Sequence, residues 1–204
     1  MPRANRPPSA AGSPRLLAIG LPLWLTAVLV PAVQLWRYKS LPGAQADAPL
    51  RWPAASRIER DPTRTTILLF AHPMCPCTAA SLSELGRLAA DSERVLACVL
   101  FDVPSDADDS WCHSANWARA AAIPGVRVRQ DCDGAEATRF AALTSGQVVA
   151  YAPDGTLLFS GGLTTARGHA GPSPFTAGLT NALTDQGGAA VSAPVFGCPL
   201  REPR

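Results

Sequence analysis

The sequence predicts an α/β domain, a mixed sheet with flanking helices, behind one N-terminal transmembrane helix. Three observations predict it. Short β-branched, apolar runs alternate with amphipathic stretches between residues 63 and 186. Pro153-Asp154-Gly155 separates two of those runs as a turn would. Ahead of them, Leu16 to Trp36 form 21 positions without a charge.

That uncharged run precedes the domain. At about 1.5 Å rise per residue it can cross a hydrocarbon core of roughly 30 Å. Pro22 and Pro31 would break a soluble helix but are tolerated in a membrane helix. Trp24 and Trp36 fit the interfaces. Arg3, Arg6 and Arg15 precede the run, and Arg37 and Lys39 follow it. This charge balance favours an inside N-terminus in the inner (cytoplasmic) membrane, with a single pass and the bulk of the chain on the periplasmic or extracytoplasmic side. Ala44-Gln45-Ala46 offers a signal-cleavage alternative. The length of the run and the two cations before that site favour an uncleaved anchor, and both readings export the domain. The expected organisation is a cytoplasmic tail (1–15), an anchor (16–36), a linker (37–62), the domain (63–186) and a Pro/Gly-rich C-terminal tail (187–204).

Within the domain, Thr65 to Phe70 is a buried strand by its β-branched and apolar content. Thr78 to Ala90 places Ala79, Leu82, Leu85 and Ala89 on one helical face, although Ser81 and Glu84 fit a capping pair that would start the helix later. Arg94 to Phe101 is a second buried strand. Asp109 or Ser110 can cap a helix running to Ala122, before Pro124-Gly125. Val126 to Arg129 alternates as a short strand, and Gly134 to Leu143 is expected to be helical. Gln147 to Ala152 and Thr156 to Ser160 form the hairpin, and Pro174 can open a last helix through about Asp185.

The chain has 204 residues, 47% hydrophobic and 17% charged, with a net charge of +2; this allows one ordinary domain plus extras. No basic patch interleaved with aromatics points to nucleic acid. No phosphate-cradling glycine loop, Ser-His-Asp order or paired-carboxylate motif stands out. Asp106 to Asp109 reads as a helix-start cap. The six cysteines, at 75, 77, 98, 112, 132 and 198, carry most of the chemistry. Cys98 is mid-strand and expected to be a buried small hydrophobe. Cys112 and Cys132 either pair with one another or are incidental.

Cys75 and Cys77 lie between a buried strand and a helix start, in His72-Pro73-Met74-Cys75-Pro76-Cys77. Unpaired backbone N–H groups and the helix dipole stabilise a thiolate there. Such a position can bring a thiol pKa from about 8.5 down to roughly 3.5–7.5. The thiolate is both the nucleophile of disulfide exchange and a soft metal ligand.

This arrangement resembles the thioredoxin superfamily, particularly the membrane-tethered thiol-disulfide proteins and redoxins of bacterial envelopes. The strand ILLF, the two cysteines, the helix SLSELGRL and the hairpin VVAYAPDGTLLFSGG carry the resemblance over about residues 63 to 186. His72 to Cys77, with Gly168-His169 and Phe196-Gly197-Cys198-Pro199-Leu200, more narrowly resembles RedB-type proteins. Two departures matter. A single Pro76 separates the cysteines where thioredoxins have two residues, and a bridge across one residue closes a small, strained ring. Gly146, after Thr144-Ser145, occupies the place of the cis-proline that usually helps to hold a substrate chain.

The leading expectation is therefore an exported thiol-disulfide oxidoreductase acting on a protein or small-molecule thiol or disulfide, with no cofactor. Catalytic Cys75 and Cys77 would be joined by Cys198 as a resolving thiol; Cys77 is favoured as nearer the helix amides and Cys75 as the more exposed. The alternative is a non-catalytic copper- or zinc-binding envelope protein using Cys75, Cys77, His72, His169 and Cys198. It resembles the copper-delivery proteins of the respiratory chain in anchor and fold, and differs from them in its narrower cysteine spacing. A third reading makes the cysteines permanent structural bridges. Arg167 or His169 could stabilise a thiolate if their glycine-rich loop folds over Cys75.

Overall fold

The computed structural model describes residues 14–90, 93–184 and 188–201. Arg3 and Arg6 of the expected N-terminal tail, and the expected helix end at Asp185, lie outside them. The chain divides into two units at Lys39/Ser40.

The first unit is helix α1, Pro14–Ser40, with Pro22 and Pro31 inside it. Its segment Ala18–Ser40 is 23 residues long with mean hydropathy 1.8 and is entirely exposed. Length and composition thus suffice to cross a bilayer, as they would also suffice for a signal sequence. The Thr26 hydroxyl donates to the Pro22 carbonyl at 2.9 Å, so this polar group is satisfied within the helix itself.

The second unit is built on a mixed sheet. Its elements run β1 (Thr65–Ala71), α2 (Thr78–Ala90), β2 (Val95–Val103), α3 (Ala115–Ala121), β3 (Val126–Cys132), α4 (Ala135–Arg139), β4 (Gln147–Tyr151), β5 (Leu157–Gly161), α5 (Pro174–Thr184) and β6 (Val191–Ser192). The sheet order is β3-β2-β1-β4-β5-β6. β1, β2 and β3 are parallel, β4 runs antiparallel to β1, and β5 closes the hairpin. This is the mixed sheet with flanking helices that the sequence predicts.

β1 sits mid-sheet, and its apolar run is buried on both faces, as the interior of a covered parallel pair requires. The period of two then sorts the core. Ile67 and Leu69 face Leu82 and Leu85 of α2, Phe101 and Leu179. Leu68 and Phe70 face Phe140, Tyr151, Leu157 and Leu200. Each such fully buried side chain stabilises the fold by about 1.5–3 kcal/mol.

That second face corrects several expectations. Residues 37–62 are not a free linker: α1 continues to Ser40, and the rest packs on the domain. Trp52 meets Phe140 and Tyr151 edge-on at 5.0 and 5.3 Å. The Tyr151 hydroxyl donates to Pro49 at 2.8 Å, and buried Glu136 accepts from Ser56 Oγ and the Arg57 amide. This segment covers what α4 leaves open. The helix expected over 134–143 is only Ala135–Arg139, because the Asp131 carboxylate caps its first turn through Glu136 N and Ala137 N, and Ala141 then turns to positive φ. The C-terminal tail is likewise folded on: Val195 and Leu200 are buried, and β6 pairs with β5.

One helix start also differs, and the later start left open for another is not used. α3 begins at Ala115, not after Asp109 or Ser110, because Asp108 is spent on a local turn with Ser110 while Ser114 Oγ accepts from Trp117 N. α2 begins directly at Thr78. Ser81 and Glu84 are buried on its body, and the Glu84 carboxylate accepts from Arg87 and from the Gly171 amide.

Candidate functional site

The site lies at the C-terminal end of β1, where the loop 72–77 turns into α2. The turn is tied locally by Cys75 N to His72 O at 3.1 Å and Thr78 N to Cys75 O at 3.2 Å. From α3, the buried Asn116 amide donates to both the Pro73 and Cys75 carbonyls at 2.9 Å. From the loop before β4, Ser145 Oγ accepts from His72 N at 2.9 Å and lies 3.0 Å from Thr78 Oγ1. These three polar residues fix the loop, and none stands out in the sequence. Asn116 carries a faint signal there, since asparagine is a poor helix-interior residue without a partner.

The C-terminal tail supplies the remaining wall. Ser145 N donates to Cys198 O at 2.8 Å, Leu200 N donates to Leu143 O at 2.9 Å, and Thr144 opposes Pro199 as an antiparallel bridge. Two glycines make this possible. Gly146 has φ +91°, and a Cβ there would stand 2.8 Å from Ser81 Oγ. A Cβ on Gly197 would overlap the Ser145 carbonyl oxygen outright, so only glycine lets the tail approach this closely. Arg167 donates to the Gly197 carbonyl, and Arg201 pairs with buried Asp102 at 2.9 Å.

The result is a three-sulfur cluster. The Sγ atoms of Cys75, Cys77 and Cys198 all lie within 4.8 Å of one another. All six cysteines are thiols. Cys75 and Cys77 are both buried, and Cys75 is the less exposed.

Their electrostatics differ in sign. Burial pushes the Cys75 thiol up, but the Cys198 amide and thiol, the Cys77 amide and the Thr78 hydroxyl donate to its sulfur, and the net pKa falls below the ordinary 9.0. Cys77 is pushed up to about 11, by burial first and then by negative charge on the Cys75 and Cys198 sulfurs; the Arg167 guanidinium opposes this. The sequence favours Cys77 as nearer the helix amides and Cys75 as the more exposed; both are reversed, since the donors lower Cys75 and Cys75 is the less exposed thiol. The reason is that the Cys77 amide points its hydrogen at Cys75, and the tail adds a second N–H that no local pattern reveals.

Of the other residues chosen from the sequence, Arg167 lies close enough to oppose the rise at Cys77, and the rest stand outside the three-sulfur cluster. His72 turns its ring onto Trp111 at 5.1 Å, and its Nδ1 accepts from the Met74 amide. Burial lowers its pKa. His169 is exposed, with its amide bonded to Ala166 O. Neither histidine belongs to the sulfur cluster among the described residues. His113 is exposed and bonds the Asp109 carbonyl. Cys98 is buried as expected, its thiol pushed up to about 11 by burial. Cys112 Sγ accepts from Gln130, and Cys132 is exposed.

No protein-family model and no curated protein matches this chain. Solved structures do. A hypothetical protein of Sinorhizobium meliloti superposes with TM-score 0.57 at 17% identity, covering 76% of this chain and 96% of that one. An uncharacterized conserved protein of Geobacillus kaustophilus gives TM-score 0.56 at 16% identity, covering 80% and 93%. A secreted disulfide oxidoreductase of Mycobacterium tuberculosis gives TM-score 0.42 at 20% identity, covering 60% and 81%. The first two are likenesses of fold alone.

Proposed function

We propose that the chain is a membrane-anchored, exported thiol-disulfide oxidoreductase, a redoxin of the RedB-type pattern, in which Cys75 is the attacking thiolate and Cys198 the resolving thiol. The observation that carries the reading is the three-sulfur cluster of Cys75, Cys77 and Cys198, within which donors lower Cys75 while Cys77, two residues away, is raised to about 11. A buried metal-free staple has no use for such a split, whereas exchange needs one thiol poised as nucleophile. The Cys75 thiolate attacks a disulfide and forms a mixed disulfide, releasing one thiolate. Cys198 then attacks the Cys75 sulfur, releases the second, and leaves a Cys75–Cys198 bridge. Two electrons pass from the protein dithiol to the substrate; the reverse sequence oxidises a dithiol. Cys198 is preferred to Cys77 as the resolving group because its bridge to Cys75 does not close a one-residue ring. In this reading α1 tethers the domain to the inner membrane on its extracytoplasmic side, the redox partner is an envelope thiol or disulfide, and neither cofactor nor nucleic acid takes part.

The test uses the reduced full chain in detergent and a chromogenic aromatic disulfide. Wild type is expected to release two thiol equivalents, and Cys198→Ser one, with the adduct retained on Cys75. Release no faster than from a free thiol would overturn the reading.

The cluster also supports a second reading. Three thiolates suit Cu(I), whereas structural Zn(II) asks for four ligands and the histidines stand apart. Cys75, Cys77 and Cys198 would hold the ion. Stoichiometric copper that survives competition by small thiols, and is lost in Cys75→Ser, with no exchange activity, would put this reading first.

A further inference from the structure

We propose that the substrate is a small-molecule disulfide rather than the disulfide of a protein, because the chain's own tail occupies the edge on which an extended protein segment would have to lie. The inference rests on the exchange reading above and narrows its substrate class.

An extended peptide is held beside a reactive thiol by main-chain hydrogen bonds to a free backbone edge. Here the edge beside Cys75 is Leu143 to Ser145. Its Ser145 N–H and Leu143 C=O are taken by Cys198 O and Leu200 N, and Thr144 faces Pro199. The occupant is fastened at both ends. Arg167 holds the Gly197 carbonyl, Val195 and Leu200 are buried, and Arg201 reaches Asp102. Ser145 also binds the motif loop through His72 N, so tail and loop are clamped by one residue.

Access follows from this. Cys75 is 3% exposed, which denies its sulfur to a disulfide mounted on a folded surface. What Cys75 does line is a cavity of about 280 Å³ shared with His72, Met74, Pro76, Cys198 and Leu200. That lies just below the usual range of ligand pockets, roughly 300 to 1,000 Å³, and suits only a small molecule. Both reacting cysteines line it, so attack and resolution can occur on one small molecule without the tail leaving. The balance is Cys75–S⁻ + RSSR → Cys75–S–S–R + RS⁻, then Cys198–SH + Cys75–S–S–R → Cys75–S–S–Cys198 + RSH. The first RS⁻ takes a proton from water, and the Cys198 proton leaves with the second thiol. Two electrons leave the protein in a single turnover.

The experiment follows Cys75 adducts by acid quench and mass spectrometry, with the reduced full chain in detergent and two oxidants, 2-hydroxyethyl disulfide and insulin. Rates are normalised to those of free dithiothreitol on the same oxidants. Wild type is expected to favour the small disulfide by about 100-fold on that scale. Gly197→Ala lifts the tail from Ser145, and Leu200→Asp releases it from the other end; each is expected to reduce the preference at least about 10-fold through a gain on insulin. Equal normalised rates in wild type would overturn the inference while leaving exchange intact, as would a preference unchanged in both tail variants. Reaction of Cys75 with neither oxidant would defeat the exchange reading itself.

Discussion

The motif loop at 72–77 and the tail at 197–201 meet at the same sulfurs, but they are held there by different means. The loop is local: a buried strand ends, the chain turns within six residues, and a helix begins. Its turn is tied by neighbouring backbone groups, and Asn116 and Ser145 brace it from outside. The tail is held almost wholly by distant partners: Ser145, Leu143, Arg167 and Asp102. The loop supplies the nucleophile, and the tail supplies much of what makes it one, since the Cys198 amide and thiol lead the groups that lower Cys75. Chemistry at a strand–helix junction can thus depend on a segment whose composition resembles a disordered end.

Removing groups from each side should separate the two contributions. Cys75→Ser should give the largest effect, a loss of exchange of about 100-fold or more, read as single-turnover thiol release. Leu200→Ala comes next. It removes a side chain that is 5% exposed, packed in the face that Phe140 and Tyr151 share, and should destabilise the domain by about 2–3 kcal/mol in urea unfolding. Gly197→Ala should cost about 1–3 kcal/mol through the clash with the Ser145 carbonyl and should raise the Cys75 pKa by withdrawing the Cys198 donors. A loss of stability without any change at Cys75 would show that the tail staples the fold and does not tune the thiol.

The smallest effect belongs to Arg201→Ala, and it depends on pH. Burial raises the Asp102 pKa and Arg201 opposes that rise, so removing Arg201 raises it further. A group whose folded pKa lies above its unfolded value favours the fold below the unfolded value, here 3.8, and loses that contribution as pH rises through the folded value. The variant should therefore lose about 1–2 kcal/mol near neutral pH, with the deficit shrinking toward pH 3.8. A deficit independent of pH would assign the Arg201 effect to packing.

The contrast also explains how much can be read from the sequence. β1, α2, the 153–155 turn and the cysteine loop announce themselves by period, capping and turn chemistry within a few residues. Gly146 is legible as a departure, and its φ of +91° beside Ser81 gives the reason. The Ser114 cap is not legible, because Asp109 and Ser110 are equally good caps by type and only the fold decides which is used. Docking of residues 43–58 and of Leu200 is illegible because neither segment has a period; they fill a face that the short α4 leaves open. The choice between Cys75 and Cys77 fails for the same reason, since the deciding N–H comes from Cys198, 123 positions away.

The most direct test is the pH profile of alkylation, thiol by thiol, on the reduced full chain, with each modified cysteine identified by mass spectrometry. Thiolate is the reacting form, so each rate rises through that thiol's pKa. Cys75 is predicted to react with a midpoint below 9.0 and Cys77 with one near 11, with the Cys75 midpoint moving upward in Gly197→Ala. A Cys77 midpoint at or below that of Cys75 would contradict the assignment of Cys75 as the nucleophile, and with it the account of the site.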